Sequence, residues 1–169
     1  MTTRYTESDF DGLSWHDCHI HSFELLTGDP DQGDWTNDLV LEIDFIVQWL
    51  CGVDGGPRFR VAPAMLRFHN VTDLQIRIEW ADSGYQIAVH PAAIDRLDRE
   101  EVIDHKLRLN RPYFAWTVRL NWPDGGMIRF GAVGFTQQLL AEPVEMASQH
   151  LSSAQRRVQV SGIGVDRRR

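Results

Sequence analysis

A chain of 169 residues, 43% of them hydrophobic, is long enough for one domain that buries a core without metal or disulfide staples. Its net charge of −7 excludes nucleic acid as an expected partner, because an acidic body repels phosphate backbones. No apolar run reaches membrane-span length, and no apolar stretch follows Arg4, so neither a membrane anchor nor an export signal is expected.

Six Trp and eight Phe predict a core carried largely by aromatic side chains. The two cysteines, Cys18 and Cys51, belong to no C-x-x-C pair, which predicts free thiols in a cytoplasmic setting. The chain is read as a single domain over 1–169, with 1–12 and 159–169 as loose tails. Five Arg against one Asp in 156–169 make the end basic and leave the rest more acidic than the whole.

In chain order, WHDCHIHS (15–22) reads as an N-terminal strand. As a strand it puts Asp17, His19 and His21 on one face and His16, Cys18 and Ser22 on the other. Leu39 to Trp49 alternates strictly. Leu39, Leu41, Ile43, Phe45, Val47 and Trp49 form a core face, and Val40, Glu42, Asp44, Ile46 and Gln48 a wet one. CGVDGGP turns the chain into Phe59–Phe68, where Pro63 predicts a bend at an edge or bulge because proline donates no ladder bond. Leu74–Trp80 alternates again and reads as a hairpin with Tyr85–His90. From Pro91 to about His105 the spacing of Ile94, Leu97 and Val102 is helical or irregular. Residues 113–135 form a hairpin turned by Pro123-Asp124-Gly125-Gly126, with Gly131 and Gly134 marking a bulge, sharp curvature or close packing. Pro143 opens a C-terminal helix whose stripe is Val144, Ala147, Leu151, Ala154 and Val158. The sum is a mainly β fold: an antiparallel β-sandwich or strongly curved sheet with a C-terminal helix.

Three groups of residues are candidates for function. Trp49, Trp80 and Trp122 end three strands alike. Gathered on one rim they would wall a ligand site, or else close the end of the core. Glu42 and Asp44, two apart on one strand face, could share acid and base roles or form an acidic binding face; solvated charges are the simpler expectation. Asp17, His19 and His21 have the spacing for two imidazoles to converge on one metal ion, with a carboxylate as third ligand or as the group orienting a ring. No G-x-S-x-G elbow and no Gly-rich phosphate loop follows a strand.

Asp17-Cys18-His19-Ile20-His21-Ser22 resembles the D-x-H-x-H-[ST] opening of the polymerase-and-histidinol-phosphatase type of metal-dependent phosphoesterase. The resemblance implies a divalent metal such as zinc held by His19 and His21 and a hydrolytic reaction. It covers six residues, and the longer (βα)-barrel and later ligand motifs of that family do not follow. A cupin-like H-x-H site lacks the family's Gly-rich spacing. Across most of the chain, WHDCHIHS, LVLEIDFIVQW, FRVAPAMLRFHNVTDLQI and MIRFGAVGFTQQL resemble small bacterial proteins of a domain-of-unknown-function family, which implies no activity. Size, acidity and strand pattern are also loosely similar to the β-rich immunity proteins of bacterial toxin systems, which implies a partner protein.

The sequence therefore predicts a cytoplasmic, non-enzymatic binding or interaction protein. It would take a protein or small-molecule partner or a second copy of itself, with no cofactor, nucleic acid or membrane. A metal-dependent hydrolase built on Asp17, His19 and His21 is the alternative.

Overall fold

A computed structural model describes residues 3–53, 55–79, 91–103 and 111–160, the last four by backbone alone. In chain order it contains β1 (Arg4–Thr6), a 3₁₀ turn (Glu7–Gly12), β2 (His19–Thr27), a short 3₁₀ turn (Pro30–Gln32), β3 (Asn37–Cys51) and β4 (Pro57–Phe68). There follow β5 (Thr72–Arg77), β6 (Ala92–Glu101), β7 (Phe114–Trp122), β8 (Met127–Ala132), β9 (Phe135–Leu139), β10 (Val144–Met146) and α1 (Ser153–Val160). The fold is mainly β, with a short C-terminal helix. Among the described residues no helix is long and apolar enough to cross a membrane.

All the described strands join one antiparallel sheet in the order β1-β9-β4-β3-β2-β6-β7-β8-β5, with β10 also on β4. The sheet curls back on itself because β8 runs almost directly into β9. β8 pairs with β7, while β9 pairs with β4, far away in the strand order. The corner between them is Gly134, whose φ of +153° disfavours any side chain. This is the sharp curvature its position in the sequence predicts.

The core lies inside the curl. Leu39, Leu41, Ile43 and Phe45 of β3 face Leu66 and Phe68 of β4, Trp116 and Val118 of β7, and Ile128 and Phe130 of β8. Trp116 sits at its centre, with the rings of Phe10, Phe68, Phe114 and Phe135 at 5.1–5.9 Å. These are aromatic pairs of the favoured tilted and edge-on kind.

Several expectations are corrected. Residues 3–12 are not a loose tail: β1 pairs with β9, and Phe10 packs on Trp15, Trp116 and Phe135. Residues 92–101 form strand β6, not a helix. Asp95 is an extra, bulged residue there, so Ile94 and Leu97 both face the core opposite Leu120 and Val118. The bulge stretches a spacing of two into three and imitates helical periodicity. The Pro143-led segment is strand β10 before it is helix. It pairs with β4, and α1 starts only at Ser153; of the predicted stripe, Leu151 is buried while Ala147 and Ala154 are exposed.

Pro63 lies inside the sheet, not at an edge. Its carbonyl accepts from Leu140 N–H at 2.8 Å, on the side where the partner of β4 changes from β9 to β10. In a strand the N–H and C=O of one residue point the same way, so the donor that proline lacks falls in that gap. The second face of β3 is not wet, because Val40, Asp44 and Ile46 are buried. The 113–135 hairpin matches β7 and β8. The expected strand at 85–90 lies outside the described residues, as do 161–169.

Candidate functional site

The ladder places Trp122, Ala93, His19, Asp44 and Pro63 opposite one another across β7, β6, β2, β3 and β4. Directly opposed residues share a face. His19 and Asp44 therefore stand side by side on the face away from Ile20 and Ile43, which are core. His21 is the bulged residue of β2, between Ile20 and Ser22. The bulge re-aims its ring, so Nε2 lies 2.9 Å from Asp44 Oδ2.

Asp44 has no exposure at all, and the segment leading into α1 covers it. Leu151 N–H donates to Oδ2 at 2.8 Å. Arg156 donates from Nε to Oδ1 at 3.1 Å and from Nη2 to Oδ2 at 2.8 Å, a bidentate pair. The same Nη2 also reaches the Leu151 carbonyl at 2.9 Å and His21 Nε2 at 2.9 Å. His21 Nε2 can bond only one of its two neighbours at a time, because donation to Asp44 needs a proton there and acceptance from Arg156 needs none. Burial alone would raise the Asp44 pKa. The hydrogen bonds from His21, Arg156 and Leu151 outweigh it and hold the carboxyl at about 2.

His19 is half-buried, and its Nδ1 is buried with no hydrogen-bond partner among the described residues. Its ring meets that of His150 edge-on at 4.9 Å. Desolvation, then the neighbouring His150 and His21, push its pKa below 6.5. His150 Nδ1 lies 3.2 Å from Ser148 Oγ.

Asp17 takes a left-handed conformation, φ +61°, just before β2. Its Oδ1 accepts from Asn121 Nδ2 at 2.6 Å and its Oδ2 from Gln149 Nε2 at 2.8 Å. Asp17, His19 and His21 thus do not converge as a ligand triad. Asp17 faces two amides, and the Arg156 guanidinium takes the place that a metal bound by His21 and Asp44 would need. Among the described residues no group of three or more His, Cys, Asp or Glu is arranged to hold a metal ion. Glu42 shares the Asp44 face but is half-buried beside Ser22, and Asp44 is not the solvated charge its pattern predicts. Cys18 is fully buried and accepts from Ile46 N–H at 3.4 Å. Burial raises its thiol pKa to about 12, so it is inert at neutral pH.

Beside this polar row lies an aromatic rim. Trp49 is 52% exposed, yet its ring is held: His16 stacks on it at 6.4 Å and 11°, and Phe59 meets it edge-on at 4.9 Å. Trp122 is 46% exposed. The loop at 15–18 connects the two, with His16 on Trp49 and Asp17 bonded to Asn121, the neighbour of Trp122. Trp80, the third strand-end tryptophan, lies outside the described residues.

Sequence reasoning missed Arg156, Gln149, His150 and Asn121. Each stands alone in the sequence, and only the fold brings them to the row. It also missed a second acid hub. Asp38 accepts from Arg67 Nε at 2.7 Å and from Asn70 N–H at 2.8 Å, with His69 Nδ1 at 3.2 Å, and ties the start of β3 to the β4–β5 turn. Comparison of the chain with protein-family models, with curated proteins and with solved structures finds no match, so the geometry alone carries the functional argument.

Proposed function

We propose that this chain is a cytoplasmic, non-catalytic binding protein that takes a protein partner at the rim of Trp49, His16 and Trp122. One contrast supports this reading above all. The carboxylates best placed for chemistry, Asp17 and Asp44, already spend their oxygens on donors of the same chain. Trp49, by comparison, offers half its surface to solvent from a fixed position between His16 and Phe59. A large aromatic held rigid before contact loses little conformational freedom on binding, which is why such residues anchor protein interfaces. The polar row beneath serves to hold the chain that frames the rim. The exposed, unpaired Cys51 thiol fits a reducing compartment.

The test compares Trp49→Ser with Trp35→Ser, a control at another, 81% exposed tryptophan. Co-purification from native cells should yield a complex that Trp49→Ser abolishes and Trp35→Ser preserves, with both variants melting like the parent. Sedimentation over a concentration series tells whether the partner is a foreign protein or a second copy. A complex indifferent to Trp49→Ser overturns the reading. So does stoichiometric metal in tag-free protein that vanishes in His19→Ala/His21→Ala.

A further inference from the structure

A second site lies on the other half of the sheet, on the outer face of β5, β8 and β7. The ladder sets Thr72, Gly131 and Ala115 in one row and Gln75, Arg129 and Thr117 in the next. The first row is short on side chain, and a cavity of about 330 Å³ opens over it. That volume falls at the small end of the range for small-molecule sites. Gly131 is needed there. A Cβ on it would fall 1.7 Å from Tyr113 Oη and 2.9 Å from Thr72 Oγ1, so only glycine lets the tyrosine cross β8 and wall the cavity. The Tyr113 and Thr72 hydroxyls are in direct contact. Thr72 Oγ1 in turn donates to Asp73 Oδ2 at 2.9 Å, so the contact with Tyr113 uses the tyrosine's proton.

Two opposite charges line this cavity without meeting. Arg129 is exposed and makes no ion pair among the described residues. Asp73 has only the Thr72 hydroxyl on Oδ2 and likewise makes no ion pair. Asp73 also carries a left-handed backbone, φ +52°, at the bulge of β5 between Thr72 and Gln75. That conformation is uncommon for a residue with a side chain, and bulges re-aim side chains. Here the bulge turns a carboxylate into a cavity that already holds a guanidinium. Val102, Tyr113 and Ala115 line the same space, so a ligand would meet apolar surface between two charged ends.

We propose that this cavity binds a small zwitterion of the free amino-acid class, with its ammonium at Asp73 and its carboxylate at Arg129. Arg129 supplies a fork of donors matched to a carboxylate. Asp73 supplies an acceptor for an ammonium, and Gln75 and Thr117 supply neutral polar contacts beside them. The volume excludes a folded partner, and the site is independent of the Trp49 rim.

The test is a titration of the whole chain with each free L-amino acid in turn, followed through the backbone amide signals of Thr72, Asp73, Arg129 and Gly131. Controls are the matching amine without carboxylate, the matching acid without ammonium, and inorganic sulfate. At least one amino acid should shift these signals saturably. Arg129→Gln and Asp73→Asn should each weaken it about tenfold, the loss of one charge-assisted contact. Arg129 is exposed, Asp73→Asn preserves side-chain size and Asn tolerates the left-handed backbone, so the folded spectrum should persist. The proposal is overturned if no amino acid moves these signals at millimolar concentration, or if Arg129→Gln titrates like the parent. It is equally overturned if sulfate or the single-charge analogues bind as well as the amino acid.

Discussion

A carboxylate with no solvent exposure survives as an anion only where the chain replaces all the water it has lost. At Asp44 the replacement is one backbone N–H, two guanidinium bonds and the His21 ring. Asp44→Asn keeps the shape but strands Arg156 beside His21 with no counter-charge. It should lower stability by about 3 kcal/mol, read as a shift in the urea midpoint at constant slope. The row also sets the acid response. His19 has its folded pKa lowered below 6.5, chiefly by burial, so the unfolded chain binds its proton more readily. Stability should therefore fall as pH drops through 6.5 toward the folded value, and His19→Gln should remove that slope from a plot of melting temperature against pH. Asp44 acts lower. With a folded pKa of about 2 against 3.8 in the open chain, its contribution is complete above about pH 4 and is lost as pH falls toward 2. The sequence showed His19 and Asp44 as candidates of unrelated kinds. Their adjacency depends on the β2–β3 register. Arg156, which decides the chemistry, lies more than a hundred residues away with no local pattern to mark it.

Elements were legible where the period of two ran long enough, and faces or element types were misread where a bulge interrupted it. β7 matches its expected span, β3 keeps its alternation as far as Ile46, past which a bulge at Val47 leaves Trp49 exposed instead of in the core, and β8 starts at Met127 as expected but ends at Ala132. β6 loses its alternation, because Asp95 shifts every later side chain by one face, and the sequence then reads as helical. The same device at His21 makes Ser22, not His21, the residue opposite Glu42 and leaves the His21 ring against Asp44. The C-terminal segment was misread for another reason. Val144 and Met146 pack against the core as part of a strand, and from Ser148 to Arg156 the segment crosses the sheet face held by polar contacts. No hydrophobic periodicity encodes such an attachment. It should yield locally. In Arg156→Gln the amides of 148–156, Leu151 first, should lose hydrogen-exchange protection at neutral pH, while the β3–β4 ladder keeps its own. If ladder and segment lose protection together, the segment is integral to the sheet instead of latched onto it.

At the scale of the molecule, one continuous core spans both sides of the curl, from Trp15 and Phe135 through Trp116 to Ile94 and Leu120. The sheet curls back on itself where β8 passes into β9 at Gly134. A Cβ there would stand 2.7 Å from Glu7 Oε2, and Glu7 in turn accepts from Phe135 N–H at 2.8 Å and pairs with Arg99. Arg99 lies over the Phe10 ring at 4.1 Å, so the corner is tied at once to the N-terminal turn and to β6. Gly134→Ala should therefore disturb more than its own turn, through an unfavourable φ and displacement of Glu7. A loss of about 1–3 kcal/mol is expected. Because β1, β9 and the Phe10 cluster share one core with Trp116, this loss should appear as a lower midpoint of one cooperative transition. Near-ultraviolet signal from the buried tryptophans and far-ultraviolet signal from the sheet should melt together in the parent and in the variant. An early near-ultraviolet phase in Gly134→Ala would mean instead that the corner and its aromatic cluster fold separately from the rest of the sheet.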